Sequence, residues 1–417
     1  MKTRVYFFFP YMEDSGVPML FSRVAKWLAG HYGDEYEVYV VDYSDGAMSR
    51  NLVEADGVKI KVYDDEKDCF IEDNAIIIMQ SNNPKFWPKR LKLSPKTRVF
   101  WWTLHIRCLA PSLLPRPFSD IPFKHHWLYK TCSLFYWGFM HKFAHLVDEM
   151  MDHGSLFFMD EPNLKEAVKH LPMKHKTVDR YLPVPAGDYN GPLKNNPCLN
   201  PIKLCWLGRV ELEKLPILDY TLKKASEWAL NHQRKVEFFV LGYGQDTEYI
   251  DNLPVENDWF LKHKVTPIKV FDINDFLLKN VDAMFALATS SLEAAKLGIP
   301  TIMLDSAFKP ITNDYIYHFV TERKGCELTH VVGKDDFEKG NDSFEQIMDG
   351  IINNYDKVGK ACRDYFVKNH SLSNVGEMLV ELLRESTFTY DMIDSNLTKP
   401  FALWKLYVKV RRKKITI

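Results

Sequence analysis

Two short stretches decide the fold: ALATSSLEAAKLGIP at residues 286–300 and LGRVELEK at residues 207–214. In each, an apolar run that reads as a buried strand ends in a polar turn and passes into a helix. Such junctions gather phosphate- and ribose-binding groups at one edge of a parallel sheet, where backbone N–H groups and a helix end favour an anion. Two of them in one half of a chain point to a nucleotide site.

Outward from these stretches, short aliphatic or aromatic runs alternate with helical patterns along the whole sequence, as in parallel sheets covered on both faces. Strands are expected at residues 4–10, 37–41, 75–79, 98–103, 155–159 and 179–184, with helices between them such as 19–32 and 163–171. Residues 183–201, PVPAGDYNGPLKNNPCLNP, are crowded with Pro, Gly and Asn and break both periodicities, so the domain boundary is placed there. The alternation restarts with strands expected at 203–207, 236–241, 265–271, 283–287 and 301–304. Between them Leu218, Leu222, Ala225 and Ala229 recur along one helical face. The expected fold class is α/β: two Rossmann-like doubly wound domains, residues 1–190 and 191–385, facing a central cleft, then a basic and aromatic tail at 386–417. Open α/β sheets bind ligands at the carboxyl ends of their strands, so the site is expected between the domains.

Composition narrows the partners. The 417 residues are 46% hydrophobic, enough for two cores, and the formal net charge of -1 provides no global basic field for nucleic acid. Seven scattered cysteines without a Cys-x-x-Cys pair fit reduced, cytosolic thiols. The start, MKTRVYFFFPYM, reads as a first buried strand, and no apolar run reaches the length of a membrane span.

The candidate site residues each admit a functional and a plain reading. Arg209 and Lys214 follow Gly208 just before Pro216 opens a helix. They suit a diphosphate, or form a solvated turn with Glu211 and Glu213. Gly242 and Gly244 after the strand VEFFVL allow close approach to a ligand, or a tight turn. Glu293 is expected in the first turn of its helix, where its carboxylate could accept ribose hydroxyls, yet Ser290 to Glu293 is also a Ser-x-x-Glu capping box. Thr289 and Ser290 could bind phosphate or cap the helix. In the first half, the loop Ser15-Gly16 leads from the first strand to the first helix, and His105 closes the strand VFWWTLH. Two aromatic and basic stretches, residues 127–143 and 401–417, have the composition of a membrane surface binder; a core helix is the alternative for the first, and the tail is the stronger candidate.

These residues resemble the nucleotide-sugar glycosyltransferases of the two-Rossmann-domain GT-B type, closest to the family-4-like enzymes, over about residues 200–305. The resemblance implies a donor-binding second domain and an acceptor-binding first domain. Gly208, Arg209 and Lys214 match the family's diphosphate-binding residues, Gly242 its Gly-x-Gly turn, and Asp272 the loop beside the base. Glu293 matches the second of two glutamates spaced eight apart; the first falls on Phe285. Gly16 and His105 match by position the glycine loop near the donor phosphate and the histidine near the transferred sugar. The expected activity is hexosyl transfer, with retention, from a UDP- or GDP-sugar to a glycan hydroxyl, on a lipid-linked surface polysaccharide. No metal or other cofactor is expected. The expected place is cytoplasmic, peripheral on the inner face of the membrane through the tail. The alternatives are a non-catalytic GT-B partner protein, motivated by Phe285, and a sugar-nucleotide epimerase of the same fold.

Overall fold

In strand β1 (Thr3–Phe8) every side chain from Val5 onward is buried, although neighbours point to opposite faces. Only a strand in the middle of a sheet covered on both sides behaves in this way. The computed structural model describes residues 2–110, 113, 126–195, 197, 199–242, 247–265, 273–340 and 343–399, and it places β1 at that position. The chain divides into two units: residues up to Val184 together with those from Val375, and Pro185–Asn374.

In the first unit, β1 lies between β2 (Tyr36–Asp42) and β5 (Ile76–Gln80). The sheet runs β3 (Lys59–Val62), β2, β1, β5, β7 (Arg98–Thr103), β8 (Leu156–Phe158), all parallel. A small parallel pair, β4 (Cys69–Ile71) and β6 (Leu91–Leu93), stands apart. On one face Tyr6, Phe8, Ile77, Met79 and Trp101 pack with Phe143 and Val147 of the helix Trp137–Asp152. On the other, Phe7 and Trp102 pack against Phe21 of the helix Gly16–Tyr32.

The second unit repeats the plan. Its sheet runs β11 (Phe260–Val265), β10 (Val236–Leu241), β9 (Ile202–Leu207), β12 (Ala283–Ala286), β13 (Thr301–Met303), β14 (His318–Phe319), with β14 antiparallel. Alternation along β9 assigns Leu204 and Trp206 to the layer holding Leu218 and Leu222 of the helix Leu215–His232. Cys205 belongs to the layer of Leu277 and Ala294.

Four expectations change. Residues 179–184 form no strand; Leu182 donates to the Phe158 carbonyl at 2.9 Å without joining the ladder. The strand expected at 265–271 is found earlier, as β11, and residues 266–271 lie outside the described ones. The segment 375–385, expected in the second domain, packs on the first: Gly376 faces the Trp27 ring and Arg384 binds Glu35 at 3.0 Å. The expected tail is not one piece, because Phe388, Ile393 and Leu397 belong to the first unit's core. Residues 400–417, including the basic cluster Arg411–Lys414, lie outside the described residues.

Candidate functional site

Register brings three strand ends of the second unit level. Leu207 of β9 pairs with Leu241 of β10 on one side and Ala286 of β12 on the other. Gly208, Gly242 and Leu287 therefore leave the sheet side by side, spaced by about 4.8 Å per strand. The chain passes from β9 to β10 in one direction and later enters β12 on the opposite side, the point at which an open α/β sheet forms its binding crevice. The Gly208 N–H donates to the Leu241 carbonyl at 3.0 Å, and a Cβ on Gly242 would fall 1.8 Å from the Gly208 carbonyl oxygen. Only glycine permits this approach. Gly242→Ala should force the two ends apart and cost about 1–3 kcal/mol; an unchanged thermal midpoint would contradict the close approach.

Arg209 follows at once. Its guanidinium is 63% exposed and lies 2.8 Å from Glu211, whose other oxygen is 3.7 Å from the Lys214 ammonium. The plain reading from sequence is thus half realised: both cations pair with Glu211, but not with Glu213. Exposed pairs of this kind contribute less than about 1 kcal/mol and give way readily to a better anion. Lys214 also stands at the start of the helix Leu215–His232, adding the partial positive charge of its first turn.

On the β12 side the structure corrects two expectations. The helix Thr289–Ala295 is capped by Ala288 with no side-chain bond, so Ser290 to Glu293 is not a capping box; Ser291 bonds instead to the Ala288 carbonyl at 2.7 Å. Glu293 is the fifth helical residue, beyond the first turn. Thr289 is exposed, Ser290 and Glu293 half-buried, and Glu293 is ion-paired with the buried Lys296. Phe285, eight places before Glu293, is an interior residue of β12 with no exposed surface, its ring against Phe238, Tyr317 and Phe344. Only Leu287 and Ala288 separate strand from helix, so the position expected for the first glutamate lies inside the sheet and not in the turn. Ala288 has φ 53° and ψ -141°, a conformation glycine favours. It is held there by its N–H donating to the Leu328 carbonyl at 3.2 Å.

That bond leads to a charged cluster the sequence did not signal. Asp305, fully buried after β13, accepts from the Tyr315 hydroxyl at 2.7 Å and Arg323 at 2.6 Å. His330 lies 3.2 Å from Asp305, hydrogen-bonds Glu327, and is 2.8 Å from Asp336. The same segment grips both site turns, through Leu328 to Ala288 and through the Ala307 N–H to the Glu213 carbonyl at 2.8 Å. Among the described residues Asp305, His330 and Asp336 are spaced as metal ligands could be. Arg323 and Tyr315 already occupy one Asp305 oxygen, however, and His330 Nδ1, besides facing Asp305 and Glu327, lies 3.3 Å from the Arg323 guanidinium, a cation already in the place a metal would take. Burial opposes charge on His330, but the bonds to Asp336 and Glu327 and the Asp305 charge outweigh it, and the pKa is pushed up to about 10. A raised folded pKa stabilises fully below the unfolded value of about 6.5 and is lost as pH rises toward 10. His330→Gln should therefore cost most stability near pH 6, and the gap from wild type should shrink toward pH 10 in thermal melts. A gap independent of pH would refute the charged ring.

The first unit places its two candidates on the carboxyl edge of its own sheet, after β1 and β7. A Cβ on Gly16 would meet nothing within 4 Å, so the space before that helix is open. His105 lies two residues past the end of β7 rather than within it, and its Nδ1 accepts the Arg107 N–H at 3.1 Å, leaving Nε2 to carry the proton of the neutral ring. The crowding of the surrounding chain, and then the Arg107 cation, lower its pKa from the ordinary imidazole value, although the residue keeps surface on solvent. On the same edge a cavity of about 310 Å³ is lined by Phe9, Tyr43, Gln80, Asn83 and Trp87. The buried Asn83 Nδ2 and Trp87 Nε1 have no bonded partner among the described residues. Asp272 and Gly244 lie outside the described residues.

No family model matches the chain, and a search of curated proteins finds none that matches it. Its fold does match. A glycosyltransferase from Rickettsia africae aligns over 92% of this chain and 98% of its own, at 11% identity and TM-score 0.50. The lipopolysaccharide outer core galactosyltransferase WaaB aligns over 92% and 99%, at 10% identity and TM-score 0.50. The chain has the glycosyltransferase GT-B fold. Anabaena Alr3699/HepE, solved with UDP-glucose, aligns over 91% of this GT-B chain and 99% of its own, at 12% identity and TM-score 0.46.

Proposed function

We propose that this protein transfers a hexosyl group from a nucleoside diphosphate sugar, with UDP or GDP as carrier, to a hydroxyl of a glycan. The acceptor in this proposal is a lipid-linked surface polysaccharide under assembly at the cytoplasmic face of a membrane. The observation that supports the reading is the register that gathers Gly208–Lys214, Gly242 and Thr289–Glu293 at one sheet edge.

In the transfer, the bond between the anomeric carbon and the diphosphate oxygen breaks, and a bond from that carbon to the acceptor oxygen forms. The acceptor hydroxyl proton passes to the departing diphosphate, which leaves as the nucleoside diphosphate. Negative charge grows on the departing diphosphate. Arg209 with its forked donors and Lys214 as a point charge would meet that charge, the kind of stabilisation that dominates many enzymatic rate enhancements. The proposal needs no divalent cation for this step, so turnover should survive chelation with EDTA. Thr289 and Ser290 would donate to phosphate and Glu293 would hold the ribose. His105, neutral with a proton on Nε2, would donate to a sugar or acceptor oxygen. The aromatic residues Phe9, Tyr43 and Trp87 that line the first unit's cavity suit the face of a sugar ring. Retention at the anomeric carbon is kept in the proposal on the resemblance alone.

The test is a thermal-shift screen against UDP, GDP, ADP, CMP and their sugar conjugates, followed by transfer assays. A ligand at a hundred times its dissociation constant adds about 2.7 kcal/mol. One nucleoside diphosphate should raise the midpoint by several degrees, and its release from the sugar should require acceptor. Release without acceptor would favour an epimerase. Binding without turnover would favour a non-catalytic partner.

A further inference from the structure

Ala288, at the turn between β12 and the helix Thr289–Ala295, stands in a conformation that L side chains rarely adopt, with φ 53° and ψ -141°. Among the described residues three other non-glycine residues have positive φ. Asn74 is of a type that adopts it readily, and Gln233 closes a helix, where left-handed backbone is common. The third, Cys326 at φ 58°, stands two places before Leu328, whose carbonyl accepts the Ala288 N–H. The two residues whose own chemistry does not ease a positive φ therefore meet at one place, the carboxyl edge of the second sheet. Strain of this kind persists only where the surroundings impose it, and it collects at functional sites.

The buried charges impose it here. Gly325 and Cys326, both at φ 58°, make a turn closed by the Glu327 N–H on the Lys324 carbonyl at 3.2 Å. The turn folds the chain back, so that Arg323 before it and His330 after it both reach Asp305. Arg323 donates to one carboxylate oxygen at 2.6 Å, and the His330 backbone N–H to the other at 3.3 Å. The His330 carbonyl accepts from Ser306 at 2.9 Å, and the Val332 N–H returns to the Ser306 carbonyl at 2.8 Å. Leu328, itself buried, is fixed from both sides. A buried carboxylate cannot shed its partners without a large desolvation cost, so the arrangement resists displacement.

The same strip holds the other half of the candidate site. Ala307, next to Ser306, donates to the Glu213 carbonyl at 2.8 Å, within the turn that the Lys214 N–H closes on the Glu211 carbonyl at 2.8 Å. One cluster is thus tied to the turn bearing Arg209 and Lys214 and to the helix bearing Thr289, Ser290 and Glu293. The Asp305 and Arg323 side chains are 1% and 7% exposed, so they act on a ligand only through these backbone bonds. Stability alone would be better served by glycine at position 288, which takes this conformation without a Cβ penalty.

We propose that Asp305, Arg323 and His330 are positioning residues for the nucleotide. Through Leu328 they force the turn at Ala288 and so aim the helix that carries Glu293; through Ala307 they fix its spacing from the turn that carries Arg209 and Lys214. The role toward the nucleotide rests on the transfer proposed above. The forcing of Ala288 does not, because it is read in the protein without ligand.

The experiment is a double-mutant cycle of Ala288→Gly and His330→Gln in the full chain near neutral pH, read by urea unfolding and by calorimetric titration with UDP and with GDP. Ala288→Gly should stabilise the protein while the cluster is intact, and this increment should vanish beside His330→Gln, where the alanine is free to relax. His330→Gln alone should weaken binding of the nucleotide at least about fivefold, but less than about twofold in combination with Ala288→Gly, because glycine adopts the turn unforced. A cluster that serves stability alone would lower affinity equally on both backgrounds. Stability changes that simply add, or a loss of affinity that Ala288→Gly leaves unchanged, overturn the proposal. Asp336→Asn, which removes one His330 partner and leaves Asp305 and Arg323 in place, repeats the cycle if His330→Gln does not fold. Failure of the wild type to bind either nucleotide overturns the transfer reading and the positioning role with it, whereas coupled stabilities in that case would still show that the cluster forces the turn.

Discussion

Arg209→Ala should lower turnover by about 10²–10³ while the thermal midpoint stays close to wild type. The first number is what loss of one preorganised donor to a developing oxyanion typically costs. The second follows from exposure: the Arg209 side chain is 63% exposed and, among the described residues, paired only with Glu211, and surface changes of this kind stay within about 0.5 kcal/mol. Arg209→Lys should recover only part of the loss, because an ammonium keeps the charge but not the fork. Glu211→Gln gives the complementary result. Its carboxylate bridges both cations, so an incoming diphosphate must displace it, and removing its charge should tighten nucleotide binding a few-fold. Transfer by Arg209→Ala at near wild-type rates would remove the phosphate site from this turn. Unchanged nucleotide affinity in Glu211→Gln would show that the bridge does not compete with the ligand.

Phe285→Glu, the substitution that alignment by spacing suggests as a repair, should fail to give folded protein. Phe285 has no exposed surface, and three aromatic rings lie within 6.1 Å of its own. Removing such a ring costs about 3–5 kcal/mol, which lowers the midpoint of a domain this size by roughly 6–20 °C, the range expected for Phe285→Ala. A carboxylate in the same space adds its desolvation and either stays protonated or opens the core. Circular dichroism and solubility read the result. A folded Phe285→Glu protein with increased transfer would place this residue in the site and overturn the register of β12.

The contrast between these two positions shows what the sequence makes legible. Strand ends with glycine and a helix start with proline are local chemistry, so Gly208, Arg209, Lys214 and Gly242 could be placed from β9 and β10 alone. Glu293 was placed on the right helix but one turn early, because Ser290 and Glu293 imitate a capping box while Ala288 holds the cap through a carbonyl forty residues away in sequence. Phe285 takes the first glutamate's place by spacing alone, and spacing does not show that this position lies inside β12 with no exposed surface. The cluster of Asp305, Arg323, His330 and Asp336 was invisible, since buried charges that neutralise one another across distant turns leave no periodicity. The stretch 127–143 was legible only as composition: it falls in the helices His126–Phe135 and Trp137–Asp152, which bury Tyr129 and Phe143 and leave Phe135 and Trp137 exposed.

The return of the chain to its first unit has a consequence for biosynthesis. A polypeptide emerging from the ribosome offers residues up to Val184 long before Phe388, Ile393 and Leu397 exist to complete that unit's core. The middle segment, Pro185–Asn374, is continuous and can close as soon as it is made. The usual order, in which the amino-terminal domain folds first during synthesis, is thereby reversed. The half that starts first must wait, with open core, until Phe388, Ile393 and Leu397 have emerged.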